Sequence, residues 1–212
     1  MIINDGIKEF ISKIESDEPV PGGGSVSAAV GSFGSALALM YQNLSFNKKS
    51  FLSLDEDIQD RFNKVYEKLR IIKEELLSFV EEDAKAYDAV MIAYRLSKVN
   101  EEEKAIREKE IKKALVKATE VPLAIMETSL AGLKLLQEIN GLGNKNAISD
   151  LGVAVLFLES SNHGAYLNVL INLGMFDTVE KEVYYNQAEK LRISASKIKD
   201  ELWLEIVNEI IG

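Results

Sequence analysis

A carboxylate on an apolar helix face is the first chemical signal in this chain. Val65, Leu69, Ile72, Leu76, Val80, Tyr87, Val90 and Tyr94 recur by threes and fours, the spacing of one buried stripe. Asp83 takes the place between Val80 and Tyr87. A carboxylate there is costly unless it is paired or hydrogen-bonded. It is either a structural group tied to a helix end or a lysine, or a general acid–base or cation stabiliser in a pocket. A second anomaly lies near the C-terminal third. At about 100° per residue, Asp150, Ser161, Asn168 and Asn172 share one strip with Ala154, Phe157 and Ala165. That strip is a hydrogen-bond ladder to another helix or one wall of a polar site. Asp150 also suits the first turn of its own helix, where negative charge is favoured.

Pro21-Gly22-Gly23-Gly24-Ser25 is the third signal. Glycines let a backbone approach a ligand, and helix-start N–H groups attract anions. The run lacks the Gly-Lys-Ser/Thr ending of a Walker A loop. It is also readable as an entry turn capped by Ser25. An anionic small ligand needs a local basic patch, and Lys48 and Lys49 offer one. His163 follows Glu159 by four residues, a surface-type pair.

Composition removes other chemistries. The chain has no cysteine and one histidine, so thiolate catalysis, disulfides and multi-His metal centres are excluded within one chain. The expectation is no metal, and a reducing, cytoplasmic setting. A formal net charge of −9 disfavours a nucleic-acid partner. MIINDGIKEF has neither the basic nor the apolar region of a signal peptide. The uncharged stretch 19–47 is interrupted by Ser25, Ser27, Ser32, Ser35, Gln42 and Asn43, and reads as a buried helix rather than a membrane span.

These residues need helices to position them. Hydrophobic periodicity predicts helices over 6–16, 25–43, 55–97, 101–140, 147–173 and 178–211. The fourth should kink near Pro122. Ser27, Gly31 and Ser35 give the second a small face that lets another backbone come close. No alternating strand pattern of useful length appears. The expected fold is all-α, a single domain over residues 1–212, a bundle of about six helices with long third to sixth members.

Four segments together resemble one family. They are Pro19-Val-Pro-Gly-Gly-Gly-Ser-Val-Ser27, Asn47-Lys48-Lys49, Gly143-Asn-Lys-Asn-Ala-Ile-Ser-Asp150 and Gly164-Ala-Tyr-Leu-Asn-Val-Leu-Ile-Asn-Leu173. Glu82-Asp83 with Ala86, and Glu120-Val-Pro122, also fall in place. The chain resembles the cyclodeaminase/cyclohydrolase family: the C-terminal half of bifunctional formiminotransferase-cyclodeaminase, and free-standing bacterial methenyltetrahydrofolate cyclohydrolases. The resemblance implies an all-helical homodimer that binds reduced folate. It implies Asp83 and Asp150 as catalytic candidates. For substrate it implies Pro21, Gly22, Gly23, Gly24, Ser25, Lys48, Lys49, Asn146, Ser149 and Asn168. Asn47, Ser50 and Leu170 depart from common members, which thins the basic patch.

Two reactions follow from the resemblance. In cyclodeamination, N10 of a formiminofolate attacks the one-carbon unit on N5 and ammonia leaves. In cyclohydrolysis, water opens the methenyl bridge to the 10-formyl compound. Both pass through a tetrahedral carbon between nitrogens, and neither requires a metal or any cofactor beyond tetrahydrofolate itself. A buried carboxylate serves both by stabilising an amidinium and moving protons. Ser149-Asp-Leu and Gly164-Ala-Tyr tip the expectation to cyclodeaminase, with cyclohydrolase as the alternative. A folate-binding or helical interaction protein without turnover is the reading of another class.

Overall fold

The computed structural model describes residues 6–212. Residues 1–5, half of the N-terminal stretch read against a signal peptide, lie outside the described residues. The order is α1 (Ile7–Ile14), α2 (Gly23–Asn43), α3 (Lys49–Leu52), α4 (Glu56–Arg95), α5 (Glu101–Ile139), α6 (Ile148–Asn172) and α7 (Thr178–Ile211). Single 3-10 turns at Lys145–Ala147 and Leu173–Met175 flank α6. The fold is all-α, and no strand occurs among the described residues.

Among the described residues seven α-helices form where six were expected. The extra one, α3, is a four-residue turn, too short to show a hydrophobic period. The second helix begins at Gly23 rather than Ser25, because Gly22 is the extended residue before it. The glycine run therefore lies inside the first turn of α2. Helix α5 continues through Pro122. Proline supplies no N–H to the carbonyl four residues back, here Ala118. Asn172 on α6 fills that gap, its Nδ2 donating to Ala118 O at 2.8 Å.

The bundle is antiparallel around α2. Gly23 lies against Asn168, Gly31 against Ser161 and Gly34 against Ala154, so α2 and α6 run in opposite directions. A Cβ on Gly31 would stand 2.5 Å from Ser161 Oγ, so the small face is what permits this approach. On the other side Gln42 Nε2 donates to Phe62 O at 2.7 Å and Ser25 Oγ to Val80 O at 2.9 Å, which sets α4 antiparallel to α2. Helix α5 returns along α4, and α7 covers α6.

Helix α2 is the single described helix long and apolar enough to cross a membrane. Its Ala28, Ser32, Ser35, Ala38 and Gln42 are buried among α4, α5 and α6. The core continues through Phe62, Leu69 and Leu76 of α4, Met126, Leu133 and Leu136 of α5, and Leu151 and Leu158 of α6. The α4 stripe is core only as far as Val80. Tyr87, Val90 and Tyr94, expected inside with it, are exposed or half-buried.

Candidate active site

The stripe leaves the core at Asp83 because a cavity opens there. It holds about 240 Å³ and lies between the start of α2, the second half of α4, α5 and the end of α6. Asp83 sits on its wall with Tyr87, Val90 and Tyr94. Gly22 from the α2 entry turn and Asn172 from α6 complete the polar lining. The same Asn172 that satisfies the Pro122 gap is thus fixed at this edge by its bond to Ala118.

Asp83 is anchored at one oxygen. The Ser25 backbone N–H donates to Oδ2 at 2.7 Å, and the Ser25 hydroxyl lies 2.9 Å from the same oxygen. The positive end of α2 therefore meets the carboxylate directly. Asp83 is thus tied to a helix end, as the structural reading expected, and it also lies on a cavity wall. Gly24 makes the approach possible, since a Cβ there would stand 2.1 Å from Oδ1. Burial pushes the Asp83 carboxyl above the usual carboxylate range, and the two Ser25 bonds pull partly back. A half-buried carboxylate whose pKa is raised by burial and which faces a cavity is a candidate acid–base group.

Pro21, Gly22, Gly23, Gly24, Ser25, Asp83 and Asn168 converge at this end of the bundle. The Asn168 side chain donates to Gly164 O at 2.8 Å, and its Nδ2 lies 3.2 Å from where a Gly23 Cβ would stand. Lys48, Lys49, Asn146, Ser149 and Asp150 lie elsewhere. The Gly143 N–H donates to the Tyr41 hydroxyl and the Asn144 N–H to Ser45 Oγ, both at 2.8 Å. That places the start of α6 at the C-terminal end of α2. Burial pushes the Tyr41 phenol up to about 12 there, against the opposing effect of the Gly143 bond. Helix α2 has 21 residues, about 30 Å at 1.5 Å per residue. One chain therefore holds two half-sets at opposite ends of α2: acid, amide and glycines at one, lysines and Asp150 at the other.

The polar strip of α6 divides likewise. Ser161 is fully buried and its hydroxyl pairs with that of Ser129 at 2.8 Å, a helix-to-helix ladder. Asn172 reaches the cavity, and Asp150 stays in the first turn of α6. His163 Nδ1 lies 3.1 Å from Glu159 Oε1, and its Nε2 is 3.3 Å from Ser196 Oγ on α7. It is remote from Asp83. Among the described residues no three His, Cys, Asp or Glu side chains converge as metal ligands would. A larger cavity, about 680 Å³, lies between α4 and α5, lined by apolar residues such as Ile92 and Leu96 and by Glu110, Lys113, Lys117 and Glu120. None of the candidate site residues lines it.

Sequence reasoning put Asn172 on a polar strip that could wall a site but not among the substrate residues, and read Tyr87 and Tyr94 as core rather than cavity lining. A second signal for Asn172 was available: Pro122 leaves the carbonyl of residue 118 without its helical donor, and an amide is a fitting partner.

Comparison with known proteins adds a second line of evidence. The family model described as formiminotransferase-cyclodeaminase matches residues 6–191. The chain is 34% identical over 208 residues to a methenyltetrahydrofolate cyclohydrolase of Methylorubrum extorquens, covering 98% of each. It is 34% identical over 191 residues to the formimidoyltransferase-cyclodeaminase of Mus musculus, covering 90% of this chain and 35% of that one. It thus spans about a third of that bifunctional relative. The crystal structure of formiminotetrahydrofolate cyclodeaminase from Thermotoga maritima superposes with a TM-score of 0.79 at 25% identity, over 98% of this chain and 96% of the other.

Proposed function

Because the chain belongs to the formiminotransferase-cyclodeaminase family, as a cyclodeaminase/cyclohydrolase domain acting in one-carbon folate metabolism, we propose that it is a methenyltetrahydrofolate cyclohydrolase. The supporting observation is end-to-end similarity, at 34% identity, to a free-standing cyclohydrolase. The sequence reading leaned to cyclodeaminase on two short segments, and the full-length relative outweighs them. Cyclodeamination is the second reading, favoured by the likeness to the Thermotoga maritima cyclodeaminase. Residues 1–212 act as one catalytic domain.

The chemistry runs through Asp83. Water attacks the methenyl carbon of the cationic folate while the carboxylate takes one of its protons. That proton passes to N5 as the N5–carbon bond breaks. The remaining hydroxyl proton leaves as the carbonyl forms, giving the 10-formyl compound and one proton to solvent. The upward shift of the Asp83 carboxyl by burial supports this role, since it makes the carboxylate a stronger base than an exposed one. The negative carboxylate also favours the cationic ring. Gly22 and Asn172 line the cavity on the substrate side, with Gly23 and Asn168 packed against each other behind them. Assayed side by side, methenyltetrahydrofolate is expected to be hydrolysed with higher kcat/KM than formiminotetrahydrofolate is deaminated. Ammonia release from the formimino compound with no methenyl hydrolysis would transfer the assignment to the second reading.

We also propose a homodimer. Helix α2 carries no charge from Gly23 to Asn43, yet Phe33 and Met40 on it, and Leu44 just after it, are exposed. On α6, Val153, Leu167 and Ile171 are exposed too. Apolar area of this kind is favourable to cover. An isologous contact with the two α2 helices antiparallel would set the Asp83 end of one chain against the Lys48 end of its partner. Lys48 or Lys49 would then attract the folate glutamate carboxylate as a point charge. Light scattering at micromolar concentration is expected to give about twice the 23.6 kDa chain mass. A monomer mass would contradict the dimer and leave the lysines without a role.

A further inference from the structure

Ser25 is fully buried, so its hydroxyl reaches substrate only through a neighbour. It has one hydrogen and two acceptors at the same distance: Asp83 Oδ2 and Val80 O, each at 2.9 Å. Val80 lies inside α4, where the helical ladder supplies its carbonyl with an N–H. Neither acceptor is orphaned when the hydroxyl turns to the other. The backbone N–H of Ser25, in contrast, points at Oδ2 from 2.7 Å and cannot rotate.

We propose that Ser25 is a positioning residue whose hydroxyl hydrogen swings between Asp83 Oδ2 and Val80 O as Asp83 loses and gains its proton, leaving Oδ1 to exchange protons with the substrate. This rests on Asp83 being the acid–base group. When Asp83 is ionised, Oδ2 accepts both Ser25 hydrogens, the stronger arrangement for a charged acceptor. When Asp83 is protonated, the fixed N–H keeps Oδ2 an acceptor, because a proton there would face the amide hydrogen. The new proton therefore sits on Oδ1, and the Ser25 hydroxyl turns to Val80 O. Each buried polar group has a partner in both states.

The groups around Asp83 leave this task to Ser25. Helix α2 presents no charged side chain. Helix α5 presents Leu115 and Ala118 to the cavity, and α6 presents Ile171 and Asn172. On α4 the titratable neighbours are the Tyr87 and Tyr94 phenols, with Arg107 stacked 5.6 Å from the Tyr94 ring centroid. Glu82 is directed to Lys117 at 4.0 Å.

The test is the pH profile of kcat/KM for the wild type, Ser25→Ala and Ser25→Thr, with a thermal melt of each. Without the hydroxyl, ionised Asp83 loses a donor and becomes more basic, so the acidic limb moves to higher pH. On that limb Ser25→Ala is expected to lose about tenfold or more, the scale of one hydrogen bond to a charged group. The loss should shrink towards the alkaline side, where Asp83 is ionised in both proteins. Ser25→Thr keeps a hydroxyl and is expected to return the limb to its wild-type position. A Ser25→Ala limb that coincides with wild type overturns the proposal. So does a folded Ser25→Thr that behaves like Ser25→Ala. Failure of both variants to fold would make the hydroxyl a structural group and would overturn it equally. The Asp83 reading fails separately, on Asp83→Asn that retains the wild-type limb.

Discussion

Asp83→Asn is expected to fold, to melt at or above the wild-type temperature at neutral pH, and to turn over about 100-fold more slowly or worse, the scale of lost general acid–base catalysis. The amide oxygen can accept both Ser25 hydrogens that Oδ2 accepts now, so the anchor survives. Proton transfer does not. Folate affinity should change much less than kcat, because the loss falls on the transition state. The stability half follows from linkage. Burial holds the Asp83 carboxyl above its ordinary value in the folded chain. Between the unfolded and folded values the native state binds the extra proton, so wild-type stability declines as pH rises through that window. Asparagine has no proton to lose. The advantage of the variant is therefore present at neutral pH and closes in acid, below the unfolded value. Turnover within a few-fold of wild type, in a variant that melts normally, would remove Asp83 from the chemistry.

Gly24→Ala should be nearly as damaging to turnover by a different route. The added Cβ would stand 2.1 Å from Oδ1, 2.5 Å from Cγ and 2.7 Å from Oδ2 of Asp83. These atoms belong to a carboxylate held by Ser25, so they cannot yield without breaking its bonds. Displacing a buried, hydrogen-bonded carboxylate costs about 1–3 kcal/mol, which outweighs the gain of up to about 1 kcal/mol from alanine in a helix. The expected result is a lower melting temperature with turnover down about 100-fold. Adding Asp83→Ala removes the colliding atoms and should restore the melting temperature without restoring activity. If Gly24→Ala alone keeps both, the close packing of α2 on Asp83 has no functional weight.

Much of this was readable before any coordinates. The long helices followed from three-and-four spacing, and Asp83 stood out as the polar member of an apolar stripe. The glycine run marked a close approach, although its partner, a carboxylate 59 positions later in the chain, did not follow from local pattern. Tyr87, Val90 and Tyr94 share the face of Val80, and periodicity defines a face without saying whether a neighbour fills it. Here the neighbour ends and the cavity begins. Helix α3 was missed because four residues carry no period. The division of the candidate residues was hidden for another reason. Family likeness gathers residues by sequence, while 21 helical residues of α2 hold Gly23 and the lysines about 30 Å apart.

Binding and turnover of reduced folate at the proposed Asp83 site can be tested by a crystal structure with 5-formyltetrahydrofolate, which carries a one-carbon unit on N5 and does not react by this route. The N5 substituent is expected within hydrogen-bond distance of Asp83 Oδ1, with Gly22 and Asn172 alongside it. A folate seated against Lys48, Lys49 and Asp150, with no atom within hydrogen-bond distance of Asp83, would contradict it.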